Sequence, residues 1–562
     1  MCGFIGALDG QWSVEEIRNA AESIVCRGPD GTSVLQRGPL ILVAHRLAIV
    51  PPLDVSPIQD DGLSALALNG EIFDLPERKR DPAMSDFQAL AKLLARQGTE
   101  ALAELRGLFA FCWFDGHRLL LARDRFGIKP LYYASQSGGL AFASEMKALL
   151  ALPGISRSPD TDVLSACEVI GHNVFPGRTP FREISSVKPG HAVEAVAGDA
   201  MHQWPFATMP SVPAPGGGSR FQADELSFQV EQLIESSVRR SMRHDPNKKA
   251  VFFSGGLDSA LLLEVARSEA PVQAYVLSGG EPSDDLLSAR QVANALDVPL
   301  EECFLGVEDL DREIVHYAWH FEHPVAAGPF DLLGGVAFHS LARKVAAENR
   351  VAFCGEGADE LFMGYHRLHV QPRLAYEILA RRMGPNISPL LREWLEARFP
   401  DRDTDGLATA FRSLALREGL SEYHLPSVDR SGMAFGLEVR PPYLDEDLVD
   451  FCAGLDESCL LDREGGWTKI PLRAMARRRL SPLGLGRVAV RRKLAMPAAA
   501  ARPGEEIRAQ LAGLTGGASL DEVMWRLFRF LFLEPGVASC PSFTLTEFTE
   551  HCFSADDPPR AP

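Results

Sequence analysis

Over the first 200 positions, apolar residues come in short runs broken by turn signals. The segments "LILVAHRLAIV" (40–50), "LSALALNGEIF" (63–73) and "LFAFCWFDGHRLLLAR" (108–123) read as strands in which apolar positions alternate with others. In the last of these, Asp115-Gly116 lies between two apolar runs and predicts a tight hairpin. Helical periodicity covers 13–26 and 86–97. This half of the chain should therefore be rich in antiparallel strands with a few helices beside them.

The stretch "PFATMPSVPAPGGGSR" (205–220) is dense in Pro and Gly and lacks periodicity, so it reads as a linker. Beyond it the pattern changes. A helical stretch (224–242) precedes "KKAVFFSGGLDSALLLEVARSEA" (248–270), which is strand, glycine turn, helix. The same grammar recurs in "VQAYVLSGG" with "LLSARQVANALDV", and in "VAFHSLARKVAAENR" with "VAFCGEGADELF". Alternation of this kind implies a parallel sheet covered by helices. Past residue 500 come short helices and a Pro/Ser/Asp tail, which is expected to fray. The resulting division is a domain over 2–205, a linker over 206–222, a second domain over 223–510 and a C-terminal extension over 511–562.

A chain of 562 residues is too long for one core, in keeping with this division. Its formal charge of −18, from 57 basic and 75 acidic residues, argues against a nucleic-acid-binding face. The 10 cysteines show no C-x-x-C pair and no zinc spacing, and no apolar run is long enough to span a membrane. A cytoplasmic protein acting on small molecules is expected, with no nucleic-acid or membrane partner; homodimer formation is left open.

Two motifs carry chemistry on their own. "SGGLDS" (254–259), between a strand and a helix, suits phosphate: Gly255 and Gly256 admit the anion to the backbone, and Ser254 and Ser259 add hydroxyls. No P-loop lysine follows; Asp258 sits in the loop instead, where Mg²⁺ could join it to phosphate oxygens. The alternative is a serine-capped glycine turn. In "CGEGADELFMGY" (354–365), Asp359 and Glu360 fall at a strand-to-turn junction and could complete that Mg²⁺ site, with Glu356 as a base; the alternative is a solvated acidic loop. Cys2 poses a third question. With Met1 removed, its thiol and α-amine share one carbon, so the nucleophile would carry its own base. Alone, it could equally be where translation starts.

Together these segments resemble the glutamine-hydrolysing asparagine synthetase family: a class II glutamine amidotransferase domain fused to an ATP-pyrophosphatase synthetase domain. The ordered pieces "CRGPD" (26–30), "HRLAIV" (45–50), "NGEIF" (69–73), "SDFQ" (85–88), "GLFAF" (107–111), "RDRFGIKPLYY" (123–133) and "ASEMKAL" (143–149) match the first part. "SGGLDS", "CGEGADELFMGY", "DRSGMAFGLEVRPPYLD" (429–445) and "RRKLAMP" (491–497) match the second. The resemblance implies an α+β N-terminal domain, an αββα sandwich of the N-terminal-nucleophile type. It also implies an α/β C-terminal domain with a parallel sheet and flanking helices.

By the same resemblance, Cys2 attacks glutamine and Asn69 with Gly70 forms the oxyanion hole. Arg46 takes the α-carboxylate, Asp86 with Glu71 takes the α-ammonium, and Leu47, Ala48, Ile49 and Val50 complete the glutamine site. ATP would contact Phe253, Ser254, Gly255, Gly256, Leu257, Asp258, Ser259, Leu277, Cys354 and Gly355. Asp258 and Asp359 would bind Mg²⁺, Glu356 would be catalytic, and Lys493 would face the acyl-adenylate transition state. Arg430 and Arg440 are expected in buried ion pairs. The implied reaction uses glutamine, ATP and a carboxylate, with aspartate the default, and gives asparagine, glutamate, AMP and PPi. An intramolecular cyclase and a non-catalytic scaffold are the rival readings. Five positions depart from the family pattern: Val25-Cys26 replaces Arg-His, Gln88 replaces Glu, Met363 replaces Gly, and Cys354 replaces Ser. Gln88 weakens the case for glutamine binding, and Met363 should alter packing under the acidic loop.

Overall fold

The computed structural model describes residues 2–50, 53, 55–77, 81, 84–136, 138–196, 201–214, 216–219, 221–243, 248–279, 283–324, 329–384, 387–491, 513–515, 518–534 and 537–552. In chain order, the strands of the first half are β1 (Cys2–Leu8), β2 (Gly31–Arg37), β3 (Leu40–Arg46), β4 (Ile58–Asp60), β5 (Ala65–Phe73) and β6 (Arg106–Phe114). They continue as β7 (Arg118–Arg123), β8 (Tyr132–Gln136), β9 (Gly139–Ala143), β10 (Ser185–Ser186), β11 (His191–Val196) and β12 (His202–Pro205). Among the described residues they form two antiparallel sheets, ordered β10-β8-β9-β1-β3-β2 and β12-β11-β7-β6-β5-β4. The sheets pack face to face through Phe4, Leu42, Ala67, Phe114, Leu121 and Phe142. Helix Asp86–Gln97 covers the outer face of the second sheet, and helix Val14–Ala21 that of the first. Four layers thus stack as αββα.

Covered on both faces, β3 and β6 are buried almost throughout, so they carry continuous apolar runs rather than the alternation expected of them. The hairpin at Asp115-Gly116 closes as predicted, with Asp115 Oδ1 accepting from the His117 amide at 2.9 Å. The helix expected over 13–26 ends at Ala21 and continues as a tighter turn to Arg27.

The second half carries β13 (Lys249–Phe252), β14 (Val272–Ser278), β15 (Leu300–Phe304), β16 (Val351–Phe353) and β17 (Glu438–Arg440), all paired in parallel in the order β15-β14-β13-β16-β17. The chain leaves β13 in one direction and later returns to its other side. The switch point therefore lies between β13 and β16, where open α/β sheets hold ligands beyond their strand ends.

The Pro/Ser/Asp tail past Cys552, expected to fray, lies outside the described residues. The described part of the C-terminal extension packs against the rest of the chain. Its helix Leu520–Phe528 buries Val523, Met524, Leu527 and Phe528, and the following turn stacks Phe532 on Trp319 at 5.6 Å. These aromatic contacts, together with Phe181 against Phe528, bind the extension to both halves. The proline-rich connector also packs: Ser219 bridges to Leu455, and Met209 and Val212 lie against the main core. No helix among the described residues is long and apolar enough to cross a membrane.

Burial holds several histidines neutral. Desolvation lowers His172 to about 4, and His323 and His369 to about 3. Unfolding releases them to roughly 6.5, so their contribution to stability is complete above that pH and is lost as pH falls toward 3–4. At pH 5.5 each should cost on the order of 1 kcal/mol. Urea unfolding midpoints should therefore fall between pH 7.5 and 5.5, and a flat profile would contradict neutral burial of these rings.

Candidate functional sites

Cys2 opens β1, its backbone opposite Arg46 at the end of β3. Leaving β3, the 47–50 segment is held by the Ala48 amide, which donates to Asp30 Oδ2 at 2.9 Å. Asn69, Gly70 and Glu71 lie in β5. Gly70 has φ +125, and a Cβ there would sit 2.0 Å from the Leu108 carbonyl oxygen, so only glycine fits. Ser85 caps the helix that begins at Asp86, and Gln88 completes the capping box: Ser85 N donates to Gln88 Oε1 at 3.1 Å. Gln88 therefore has a structural task that does not need a charge.

A cleft gathers Arg46, Leu47, Ile49, Val50, Gly70, Glu71 and Asp86 with Ser85 and Phe87 of the first half, and Glu438 and Arg440 from β17 also line it. Sequence reasoning did not foresee this shared wall. The Arg440 guanidinium contacts both Glu71 and Glu438. Of the two carboxylates expected to receive an ammonium, Glu71 is thus engaged across the seam. Its burial, with Glu438 and Asp86 near, still raises its pKa despite Arg440.

The second site lies at the switch point. Ser254, Gly255 and Gly256 turn out of β13 into helix Leu257–Glu269, and Phe253 and Leu257 anchor the turn in the core. Gly255, at φ +71, lets helix Asp284–Ala295 approach: a Cβ would fall 2.5 Å from the Asp285 carbonyl oxygen. The hydroxyls of Ser254 and Ser259 meet at 3.1 Å. Leu277 lies near the end of neighbouring β14, and Cys354 and Gly355 follow β16, with the Cys354 amide donating to the Arg440 carbonyl at 3.0 Å. Asp359 lies in the first turn of a short helix (Ala358–Leu361) rather than at a bare strand end.

Asp258 and Asp359 converge on Lys469, whose Nζ lies 2.5 Å from Asp258 Oδ2 and 2.7 Å from Asp359 Oδ1. Lys469 precedes helix Ile470–Arg479 at φ +58, and its amide donates to the Phe362 carbonyl. It belongs to no motif quoted above, and only the fold brings it to the carboxylates from more than 100 residues away. Lys493, expected to face the acyl-adenylate transition state, lies outside the described residues. Met363, where glycine was expected, is fully buried at φ +55, in the region glycine tolerates best. Beyond it, His424 stands 3.7 Å from both Glu356 and Glu360, and the Tyr365 hydroxyl bridges Glu360 and His424.

Between the two sites runs a lattice of buried charges. Arg27 reaches Glu145 at 2.6 Å and Asp429 at 2.9 Å, and it also approaches Asn69 Oδ1 at 3.5 Å. Lys129 shares Asp429 at 2.8 Å, Lys147 contacts Glu145 and Glu322, and Arg430 reaches Glu322 at 3.2 Å and the Tyr132 hydroxyl at 2.5 Å. Burial alone would raise Asp429 and Glu145. The cations prevail: Arg27 and Lys129 hold Asp429 below the usual carboxylate range, and Lys147 and Arg27 do the same for Glu145.

Known proteins share both halves. The asparagine synthase family matches residues 229–514, and the glutamine amidotransferase domain family matches residues 1–206. A Bacillus subtilis protein named asparagine synthetase [glutamine-hydrolyzing] 3 is 25% identical over 509 residues, covering 80% of each chain. A Methanocaldococcus jannaschii protein named putative asparagine synthetase [glutamine-hydrolyzing] 1 is 27% identical, covering 74% of this chain and 70% of its own. Amidase chyE of Penicillium rubens is 28% identical, covering 63% of this chain and 55% of its own.

Asp429→Ala would leave Arg27 and Lys129 buried without their shared anion. It should destabilise the protein by about 3–5 kcal/mol, read as a lowered urea midpoint. A change below about 1 kcal/mol, within the range of surface ion pairs, would mean that the lattice is solvated.

Proposed function

The chain belongs to the asparagine synthase family, and on that premise we propose that it forms asparagine from aspartate, glutamine and ATP. What supports this reading is the cleft lined by both halves, one wall of which, β17, is also the edge strand of the ATP-side sheet. In the proposed sequence the Cys2 thiolate, its proton taken by the α-amine, attacks the glutamine amide carbon. Asn69 and the Gly70 amide hold the oxyanion, ammonia leaves, and water releases glutamate from the thioester. Arg46 binds the α-carboxylate, and Asp86 receives the ammonium while Glu71 braces Arg440.

On the other side, the aspartate β-carboxylate displaces PPi from the α-phosphorus of ATP. Ammonia then attacks the acyl carbon, and AMP departs. Ser254, Ser259 and the glycine amides cradle phosphate oxygens at the helix start. Lys469, rather than Lys493, is assigned to the charge that develops there. Glu356 takes the proton that the attacking ammonia sheds. Asp258 and Asp359 already converge on one cation, and Asp258 Oδ1 is buried with no hydrogen-bond partner among the described residues, so the donor set fits a hard divalent ion. Mg²⁺ held by these two carboxylates would offset the charge of the departing pyrophosphate.

A second reading is amidation of a different carboxylate. It is favoured by His424, an imidazole set against Glu356 where the acceptor would lie, and by the likeness to amidase chyE. The test of both is AMP and product formation with aspartate and a panel of other carboxylates, using glutamine or ammonia as nitrogen source. Asparagine with one AMP per turnover is expected, and Cys2→Ala should keep only the ammonia-dependent reaction. AMP formation with another acid and none with aspartate would overturn the aspartate assignment.

Lys469→Ala should lower AMP and PPi release by about 10²–10³-fold while glutaminase activity persists. The same loss in Lys493→Ala, with Lys469→Ala active, would return the role to Lys493.

A further inference from the structure

Away from both sites, helix Val307–Phe321 carries His316 and His320 four residues apart, on one face. Their rings lie 4.7 Å apart between centroids. The C-terminal extension brings Cys540 beside them, and one ligand atom from each of the three residues falls within 4.8 Å of the others. His320 is 4% exposed, and its Nδ1 has no hydrogen-bond partner among the described residues. A buried polar nitrogen left without a partner is costly unless something else satisfies it. His316 is oriented by a further ring, its Nδ1 lying 2.7 Å from Nε2 of fully buried His339.

We propose that His316, His320 and Cys540 bind a zinc-type divalent ion that fastens the C-terminal extension to this helix. Two imidazoles and a thiolate are the donor set of a borderline-soft metal, not of Mg²⁺. Tetrahedral zinc holds such atoms about 3.3–3.7 Å apart, given bonds of about 2.0–2.3 Å, so closing the site needs shifts of roughly 1 Å. A ligand histidine whose second nitrogen bonds a buried partner is the usual outer shell of such sites, and His339 fills that place. Desolvation lowers the pKa of His316 and His320, which leaves them as the neutral, lone-pair form that binds metal. The cations that face the cluster are already paired: Lys147 with Glu145 and Glu322, and Arg343 with Glu313 at 2.7 Å. On binding, the Cys540 thiol gives its proton to solvent and its sulfur to the metal. The site is independent of the amidation chemistry, since none of these residues lines the glutamine cleft or the glycine loop.

Co²⁺ is the probe, because a thiolate–cobalt charge-transfer band reports sulfur ligation. The experiment uses full-length protein freed of metal by chelation, in a Cys2→Ala background so that the N-terminal thiol cannot contribute. One equivalent of Co²⁺ should give the band, Zn²⁺ should displace it, and zinc should raise the melting temperature. Cys540→Ser should abolish the band, and His320→Gln should weaken binding at least tenfold while the far-ultraviolet dichroism stays that of a folded chain. No band in the parent protein would overturn the proposal. So would an unchanged band and affinity in Cys540→Ser. Should Cys540→Ser fail to fold, the His320→Gln titration decides alone: unchanged cobalt affinity there rejects the site.

Discussion

Asp429 is the anion on which the assembly of this protein turns. It is buried, and it holds two cations of the other half, Arg27 and Lys129, at hydrogen-bonding distance. Such a group is tolerable in the interior only when its partners are in place, because each of the three charges unpaired would cost several kcal/mol. The two halves must therefore meet in one register, and Glu145, Lys147, Glu322 and Arg430 extend that demand along the seam. Hydrophobic burial alone would allow sliding; this lattice does not.

That register has consequences for both sites. Arg27 also approaches Asn69 Oδ1, so the charge network orients a residue assigned to the oxyanion hole. Arg440 stands at the end of β17, gives its carbonyl to the Cys354 amide, and presents its guanidinium to Glu71. One residue thus joins the strand beside the ATP-side loop to the wall of the glutamine cleft.

The departures from the family pattern resolve into local physics. Gln88 serves a capping box, where an amide accepts from the backbone as a carboxylate would. Met363 accepts a left-handed backbone and offsets its strain by complete burial beneath the acidic turn. Cys354 is buried, its amide donates to the Arg440 carbonyl, and its thiol lies against the Glu356 backbone amide, a place a serine hydroxyl would fill equally well. Burial, with Glu145 beside it, pushes the Cys26 thiol up to about 12.

The sequence by itself determined the order of elements, the glycine loop and the acidic turn, while the pieces of the glutamine site came from the family resemblance alone. The first three are written in contiguous residues whose spacing follows local backbone geometry: Asp115-Gly116 can close only a tight hairpin, and Gly255 stands where no side chain fits. It also marked Arg430 and Arg440 for buried ion pairs, because their motif was legible, but not their partners. Lys469 was invisible, since a lysine before a proline-bearing helix has no local mark, and its role arises only when β13 and β16 bring Asp258 and Asp359 to it. The shared cleft wall, the packed extension and the seam lattice were likewise decided by tertiary structure. They are contacts between residues hundreds of positions apart, and no local pattern encodes the distance at which two buried charges meet.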